Sequence, residues 1–308
     1  MKKVLVIAGP TAVGKTALSI QLAKKFGGEI ISGDSMQIYR RLDIGTAKIT
    51  EQEKEGIPHH LIDICDIGDR YSVADFQKQG RQKIAEIYNR GNLPILAGGT
   101  GLYIQSLLYD YQLGASEKEQ EGTIRHKYET FAQEEGPQAL FDLLQKRDPI
   151  AAEKIHINNQ RKLVRALEVL EITGESIAAP KKIPEKLYDS FMIGLTTERS
   201  VLYERINERV DRMLQNGLIE EAKLVGTYPD SQAAKGIGYK EFCPYFAGEK
   251  TLAETAETIK QNSRRYAKRQ LTWFNNRMSF HWFDLLADPQ AMATIKNEVA
   301  QWLEVYNG

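Results

Sequence analysis

Cysteine is scarce: only Cys65 and Cys243 occur in 308 residues, and they lie far apart. That excludes a disulfide framework and a cysteine-based zinc site, and it fits a chain kept in a reducing compartment. The five histidines show no metal-ligand spacing. His59 and His60 are adjacent, which on a strand points them to opposite faces. An excess of one charge is also lacking, since 41 lysines and arginines balance 41 aspartates and glutamates. No global field therefore draws the chain to nucleic acid or membrane, and only a local patch remains open. No apolar run approaches the roughly 18 residues needed to cross a bilayer. Met1-Lys2-Lys3 precedes just five apolar residues before Gly9-Pro10, too short a run for a secretory signal core. A cytoplasmic location is the expectation. Internal repeats and low-complexity tracts are absent.

What is present is ordinary globular material, long enough for about two domains or for one with an insertion. Val4 to Ala8 is a continuous apolar run ending at Gly9-Pro10, the pattern of a buried parallel strand. Thr16 to Phe26 has helical spacing, Glu29 to Ser32 reads as a second strand, and Leu61 to Ile64 as a third. Val73 to Asn89 predicts a helix closed by Gly91, and Leu93 to Ala97 a further strand closed by Gly98-Gly99. This alternation implies a parallel sheet with right-handed crossovers.

The texture then changes. From Glu117 to about Thr173 the chain is charged and helix-like, with Gly174 placed to cap the last helix, and Pro180 and Pro184 punctuate a loop. Phe191 to Leu195 resumes the strand pattern. Helical stretches follow near Val201–Asn216 and Leu252–Asn275, and a late strand near Phe280–Phe283. The reading is an α/β core, residues 1–113 and 191–308, interrupted by a helical insertion, residues 114–190.

The chemistry starts at Gly9, Pro10, Thr11, Ala12, Val13, Gly14, Lys15 and Thr16, which fit Gly-x4-Gly-Lys-Ser/Thr between a strand and a helix. This is a P-loop, and the fold class it predicts is a P-loop NTPase-like parallel sheet. Glycines let successive backbone N–H groups curl round an anion, and the helix N-terminus adds positive potential. Lys15 supplies a point charge, and the Thr16 hydroxyl suits Mg²⁺. The motif is shared by nucleotide-binding and ATP-binding proteins, yet it recognises phosphate oxygens. A kinase, a GTPase, an ATPase and an enzyme that expels diphosphate all satisfy it.

Three further segments narrow the choice. Asp34 follows the second strand, at the edge where strand C-termini line a crevice. It suits a general base or a magnesium ligand, or alternatively a helix N-cap. Gly98, Gly99 and Gly101 surround Thr100, either for close approach to a ligand or as a plain turn. Leu61-Ile62-Asp63 loosely matches a strand ending in a metal-holding Asp. Between Lys260 and Arg277 stand Lys260, Arg264, Arg265, Lys268, Arg269 and Arg277 with no acidic residue. Lys260, Arg264 and Lys268 share one helix face, where like charges repel unless an anionic partner, or solvent, relieves them.

Taken together, the residues are similar to a known family. The P-loop, Asp34-Ser35-x-Gln37-x-Tyr39-Arg40, Asp43-Ile-Gly-Thr-Ala-Lys48, Pro58-His-His-Leu-Ile-Asp63, Tyr71-Ser-Val-Ala-Asp-Phe76, Gly98-Gly-Thr-Gly-Leu-Tyr103, Asn159-Gln-Arg161 with Arg165-Ala-Leu-Glu168, and Gly236-Ile-Gly-Tyr-Lys240 resemble the tRNA dimethylallyltransferase (isopentenyl-tRNA transferase) family, in order over nearly the whole chain. The resemblance implies transfer of a dimethylallyl group from dimethylallyl diphosphate to N6 of the adenosine next to the anticodon, in tRNAs reading codons that begin with U. It implies that the P-loop holds the donor diphosphate with Mg²⁺ and that the insertion contacts the anticodon stem-loop. By the same resemblance Asp34 is the general base, Thr100 lies near the target base, and Arg205 contacts diphosphate beside Lys15. The tRNA-contacting segments would be Asp34, Ser35, Met36 and Gln37, then Arg125, then Gln160, Arg161, Lys162, Leu163 and Val164, then Lys235, Gly236, Ile237, Gly238, Tyr239 and Lys240. Val13 departs from the serine frequent in the family, and the C-terminal zinc finger of eukaryotic relatives has no counterpart here. A monomer is expected. The rivals are a P-loop nucleoside or nucleotide kinase, which needs a clear metal-holding Asp strand and an arginine-rich lid, and a non-catalytic RNA-binding module switched by nucleotide.

Overall fold

The computed structural model describes residues 1–111, 118–179 and 184–304, so the expected features at Glu117 and Pro180 lie outside the described residues. The chain divides into two compact units, Met1–Tyr111 with Lys186–Gly308, and Gln112–Glu185. The first runs β1 (Lys3–Ala8), α1 (Lys15–Phe26), β2 (Gly28–Ser32), α2 (Glu51–Lys54), β3 (His59–His60), α3 (Val73–Asn89), β4 (Leu93–Gly98) and α4 (Gly101–Leu108). The second contains α5 (Lys118–Glu134), α6 (Gly136–Arg147), α7 (Pro149–Ala152) and α8 (Gln160–Thr173). The first then resumes with β5 (Asp189–Leu195), α9 (Arg199–Gln215), α10 (Leu218–Gly226), α11 (Cys243–Phe246), α12 (Leu252–Arg277), β6 (His281–Phe283) and α13 (Ala291–Glu304). None of the helices is long and apolar enough to cross a membrane among the described residues.

The six strands form one parallel sheet in the order β3-β2-β4-β1-β5-β6. β1 explains why its sequence is apolar throughout. Val4, Val6 and Ala8 enter a core shared with Phe76 and Ile84 of α3, Ile104 of α4 and Phe274 of α12. Leu5 and Ile7 face the opposite core, with Leu18 and Leu22 of α1 and Ile295 and Val299 of α13. Helices cover both faces, so an alternating polar pattern has nowhere to point. Each fully buried Val, Leu or Ile contributes about 1.5–3 kcal/mol.

The third strand is His59–His60, not Leu61–Ile64. Leu61 and Asp63 take φ of 60° and 55°, a left-handed backbone that cannot continue a strand. Asp63 N and Ile64 N instead donate to the carbonyls of Gln37 and Ile38, at 3.2 and 2.8 Å. The unit boundaries also fall slightly outside the expected 113/114 and inside 190/191. Leu187 N donates to the Leu108 carbonyl and Asp189 N to that of Lys2, so residues from Lys186 already belong to the sheet-bearing unit.

The helical unit has its own core of Leu140, Leu144, Leu163, Val164 and Leu167, each at most 1% exposed. Gly174 closes α8 at φ 72°, donating to the Leu170 carbonyl.

Candidate active site

Because every strand is parallel, the loops after β1, β2 and β4 emerge on one edge of the sheet. The loop after β1 is the P-loop. Ala12 and Gly14 adopt φ of 66° and 101°, which folds the chain back on itself and curls its amides inward. Val13 points the other way, 2% exposed, into the core beneath α1. α1 begins at Lys15 with no side chain capping its first turn. Its leading N–H groups are therefore available to an anion. Thr16 is exposed at this helix start.

Lys15 Nζ donates to the Pro10 carbonyl at 2.6 Å, which bends the ammonium over the loop. Burial pulls its pKa down to about 8; Arg209 lowers it further, and the Asp34 carboxylate opposes both. Burial likewise lowers the Arg209 pKa, and the same carboxylate acts against that shift. The Asp34 carboxylate after β2 thus bears electrostatically on both Lys15 and Arg209.

Asp34 caps no helix. Its Oδ1 accepts from Met36 N at 2.8 Å, closing a tight turn just past β2. Thr100 sits against this turn: its N–H donates to the Gly33 carbonyl at 3.2 Å, and its Oγ1 accepts from Ser35 N at 3.2 Å. Ser32 Oγ donates to Gln37 Oε1 at 3.1 Å. The glycines around Thr100 make room for protein rather than for a ligand. A Cβ on Gly98 would lie 2.3 Å from the Gly33 carbonyl oxygen, and one on Gly101 would lie 2.1 Å from Cδ1 of Trp273.

Two helices far along the chain complete the site. On α9, Arg205 Nε donates to the Ala12 carbonyl at 2.9 Å, bracing the P-loop. Arg209, one turn further, donates to the Thr46 carbonyl at 3.3 Å. On α12, Gln270 touches both the P-loop and the Gly99 carbonyl. On the same helix, Tyr266 has its pKa pushed up to about 12 chiefly by burial and next by Asp34. Sequence reasoning missed Arg209, Gln270 and Tyr266. Two signals existed: Arg209 is four residues after Arg205, and Gln270 is a polar residue on the apolar face between Ala267 and Phe274.

Other expected residues divide by burial. Tyr239 is 3% exposed and its hydroxyl donates to Glu221 at 2.7 Å, so its ring serves packing and not a surface contact. Leu163 and Val164, at 0% and 1%, are core residues of the helical unit. Both corrections have one cause, namely that the expected segments follow the chain whereas burial follows the helix face. Gln160, Arg161, Lys162, Lys235 and Lys240 are exposed, Ile237 is half-buried, and Gly238 N donates to Glu241 at 2.8 Å. Gly236 sits close to Met36, where an added Cβ would lie 2.6 Å from Cε. Arg125 pairs with Glu129 at 3.0 Å. Asp63 forms an ion pair with Lys48 at 2.6 Å, at the β3 edge with β2 and β4 between it and β1, so it is no metal-holding Asp beside the P-loop. On α12, Lys260 pairs with Asp211 at 2.8 Å and Arg264 Nη1 donates to Asn207 at 2.5 Å. Repulsion along that face is relieved by α9 itself, while Arg265, Lys268, Arg269 and Arg277 remain exposed.

The arrangement can hold an anion in amides and cations while a carboxylate one loop away works on a neighbouring group. A kinase reading loses its metal-holding Asp. Comparison with known proteins agrees. The sequence matches the IPP transferase family model over residues 37–277. It is 63% identical over 304 residues to the tRNA dimethylallyltransferase of Enterococcus faecalis, covering 99% of this chain and 98% of that one. Its fold is similar to the crystal structure of the full-length tRNA isopentenylpyrophosphate transferase of Bacillus halodurans, with TM-score 0.74, 49% identity, and coverage of 99% of this chain and 97% of that one. A eukaryotic dimethylallyltransferase captured acting on tRNA matches with TM-score 0.82 at 33% identity, covering 98% of this chain and 80% of that one. Strand-end loops, anion pocket and near end-to-end sequence agreement lead to one assignment: the chain belongs to the IPP transferase family.

Proposed function

We propose that this chain transfers a dimethylallyl group from dimethylallyl diphosphate to N6 of the adenosine next to the anticodon, in tRNAs reading codons that begin with U, and does so as a monomer in the cytoplasm. One observation carries the reading. The Asp34 turn leans on Thr100 after β4, and Gln270 ties that same loop to the P-loop, so a base and an anion pocket stand on adjoining loops of one sheet edge. The two free thiols, Cys65 and Cys243, suit a reducing compartment.

Each group then has a task. The P-loop amides from Ala12 to Thr16, with Lys15, hold the diphosphate of the donor. Arg205 keeps the loop in shape through the Ala12 carbonyl, and Arg209 adds charge at the pocket wall. An adenine N6 amine is a weak nucleophile because its lone pair is delocalised into the ring. As N6 bonds to the allylic carbon, the bond from that carbon to the diphosphate oxygen breaks. The N6 proton passes to Asp34, and diphosphate departs as an anion stabilised by charges already in place. Thr100, bound to the Asp34 turn through Ser35, orients the amine. A base in a loop leaves its stack at lower cost than one in a duplex, which favours an anticodon-loop substrate. Ser35, Met36, Gln37, Lys235 and Lys240 would border the RNA, and Arg125, Gln160, Arg161 and Lys162 of the helical unit would add contacts to its phosphates.

Mg²⁺ fits this donor set in a limited way. The described residues hold no group of three His, Cys, Asp or Glu that could cage a metal. Thr16, exposed beside the pocket, would hold the ion together with diphosphate oxygens and water, as Mg²⁺ prefers. Bound there, Mg²⁺ would neutralise charge on the leaving group.

The test is single-turnover transfer of labelled dimethylallyl to tRNA by Asp34→Asn. tRNA affinity should hold while the rate falls about 10²–10⁴-fold. An unchanged rate would refute the assignment of the base, and ATP-dependent phosphorylation of a substrate without prenyl transfer would refute the whole reading.

A further inference from the structure

Gln270 interrupts the apolar face of α12. It lies between Ala267 and Phe274, both fully buried, and is itself only 6% exposed. A buried side-chain amide needs partners for both its carbonyl and its NH₂. Gln270 finds them on two different loops. Its Oε1 accepts from Thr11 N of the P-loop at 3.2 Å, and its Nε2 donates to the Gly99 carbonyl, just past β4, at 2.9 Å. The fit is close: a Cβ on Gly99 would lie 2.3 Å from that Nε2.

We propose that Gln270 is a positioning residue that sets the spacing between the loop holding the donor diphosphate and the loop carrying Thr100. The proposal rests on the transfer reading above. β1 and β4 are adjacent strands whose register ends at Ala8 opposite Gly98. Beyond that pair the backbone ladder ends and no longer fixes the separation of the two loops. Gln270 spans the gap as a peptide group would in a sheet, with its acceptor toward one strand's loop and its donor toward the other's. The donor carbon is held from the P-loop side and the attacking amine from the Thr100 side, so their approach depends on this distance. Misplacement by about 1 Å costs on the order of 10²-fold in rate.

The directionality of the amide selects the variants. Gln270→Glu keeps an acceptor for Thr11 N but sets a carboxylate against the Gly99 carbonyl. Gln270→Met removes both hydrogen bonds at similar volume. The full chain would be assayed with dimethylallyl diphosphate and tRNA for single-turnover rate, KM for each substrate, calorimetric affinity for inorganic diphosphate, and thermal midpoint.

Both variants should lose about 10- to 100-fold in single-turnover rate. Their affinities for diphosphate and tRNA should stay within about threefold of the parent. A folded variant whose rate stays within about threefold of the parent overturns the proposal. So does a loss expressed entirely as weaker diphosphate binding, which would make Gln270 part of the donor pocket alone. If the Met variant does not fold, the Glu variant decides by the same criteria; if neither folds, the role is structural and the proposal fails. A parent chain that transfers no dimethylallyl group would sink the transfer reading itself, and this proposal with it.

Discussion

The depressed pKa of Lys15 makes donor binding depend on pH in a window where lysines are normally silent. Unperturbed, the ammonium would stay charged well past pH 9; here burial and Arg209 bring it to about 8. Free chain at pH 7 therefore carries the charge in about nine molecules of ten, and at pH 9 in about one of ten. A bound diphosphate ester, whose last proton is lost below about pH 7 as in a phosphate monoester, raises the Lys15 pKa and holds the proton. The sign follows directly. Binding takes up a proton above pH 8, so affinity is greatest below that value and falls as pH rises through it. If neutral Lys15 contributes nothing, Kd rises about tenfold from pH 7 to 9, worth about 1.4 kcal/mol. Calorimetric titration of dimethylallyl diphosphate, without tRNA, measures this. Lys15→Arg should flatten the profile, because a guanidinium keeps its proton throughout. Arg209→Met should move the inflection upward and Asp34→Asn downward. Neither restores an ordinary lysine, because burial is the largest cause. A parent Kd that varies less than twofold between pH 7 and 9, or an equal slope in Lys15→Arg, would refute the reasoning.

Two further outcomes are expected. Glu221 accepts from Asp43 N, Ile44 N and Gly45 N at 2.7–2.8 Å and from the Tyr239 hydroxyl, so Glu221→Ala should cost about 3 kcal/mol or more in urea unfolding, with a loss under about 1 kcal/mol speaking against this brace. Lys268→Ala with Arg269→Ala should reduce the slope of log affinity for tRNA against log salt by about one to two, whereas an identical slope would remove α12 from the RNA-binding surface.

The P-loop and Asp34 were legible in the sequence because each is a local event. A buried strand ends, and the next few residues form a loop at the sheet edge. What was not legible depends on partners distant in sequence. Gln270 reads as a lapse in an amphipathic helix until Thr11 and Gly99 are seen on either side of it. Lys260 reads as an unrelieved cation until Asp211 is placed opposite. Leu61–Ile64 is apolar enough for a strand, yet its backbone turns left-handed at Leu61 and Asp63 and its amides pair with Gln37 and Ile38 instead of a ladder. Residues Leu163, Val164 and Tyr239 show the limit of segment reasoning. A stretch of chain can border a ligand while alternate side chains turn inward, and only the packing of neighbouring helices says which.

The contact between Gly33 and Gly98 has an engineering consequence. Asp34 and Thr100 follow two backbones pressed together with no side chain between them. Neither loop can be shifted to admit a bulkier alkyl donor without prying apart the sheet edge beneath. Redesign of this enzyme for other prenyl groups therefore has its freedom in the side chains that α9 and α12 lower over the crevice, while its floor behaves as a single casting.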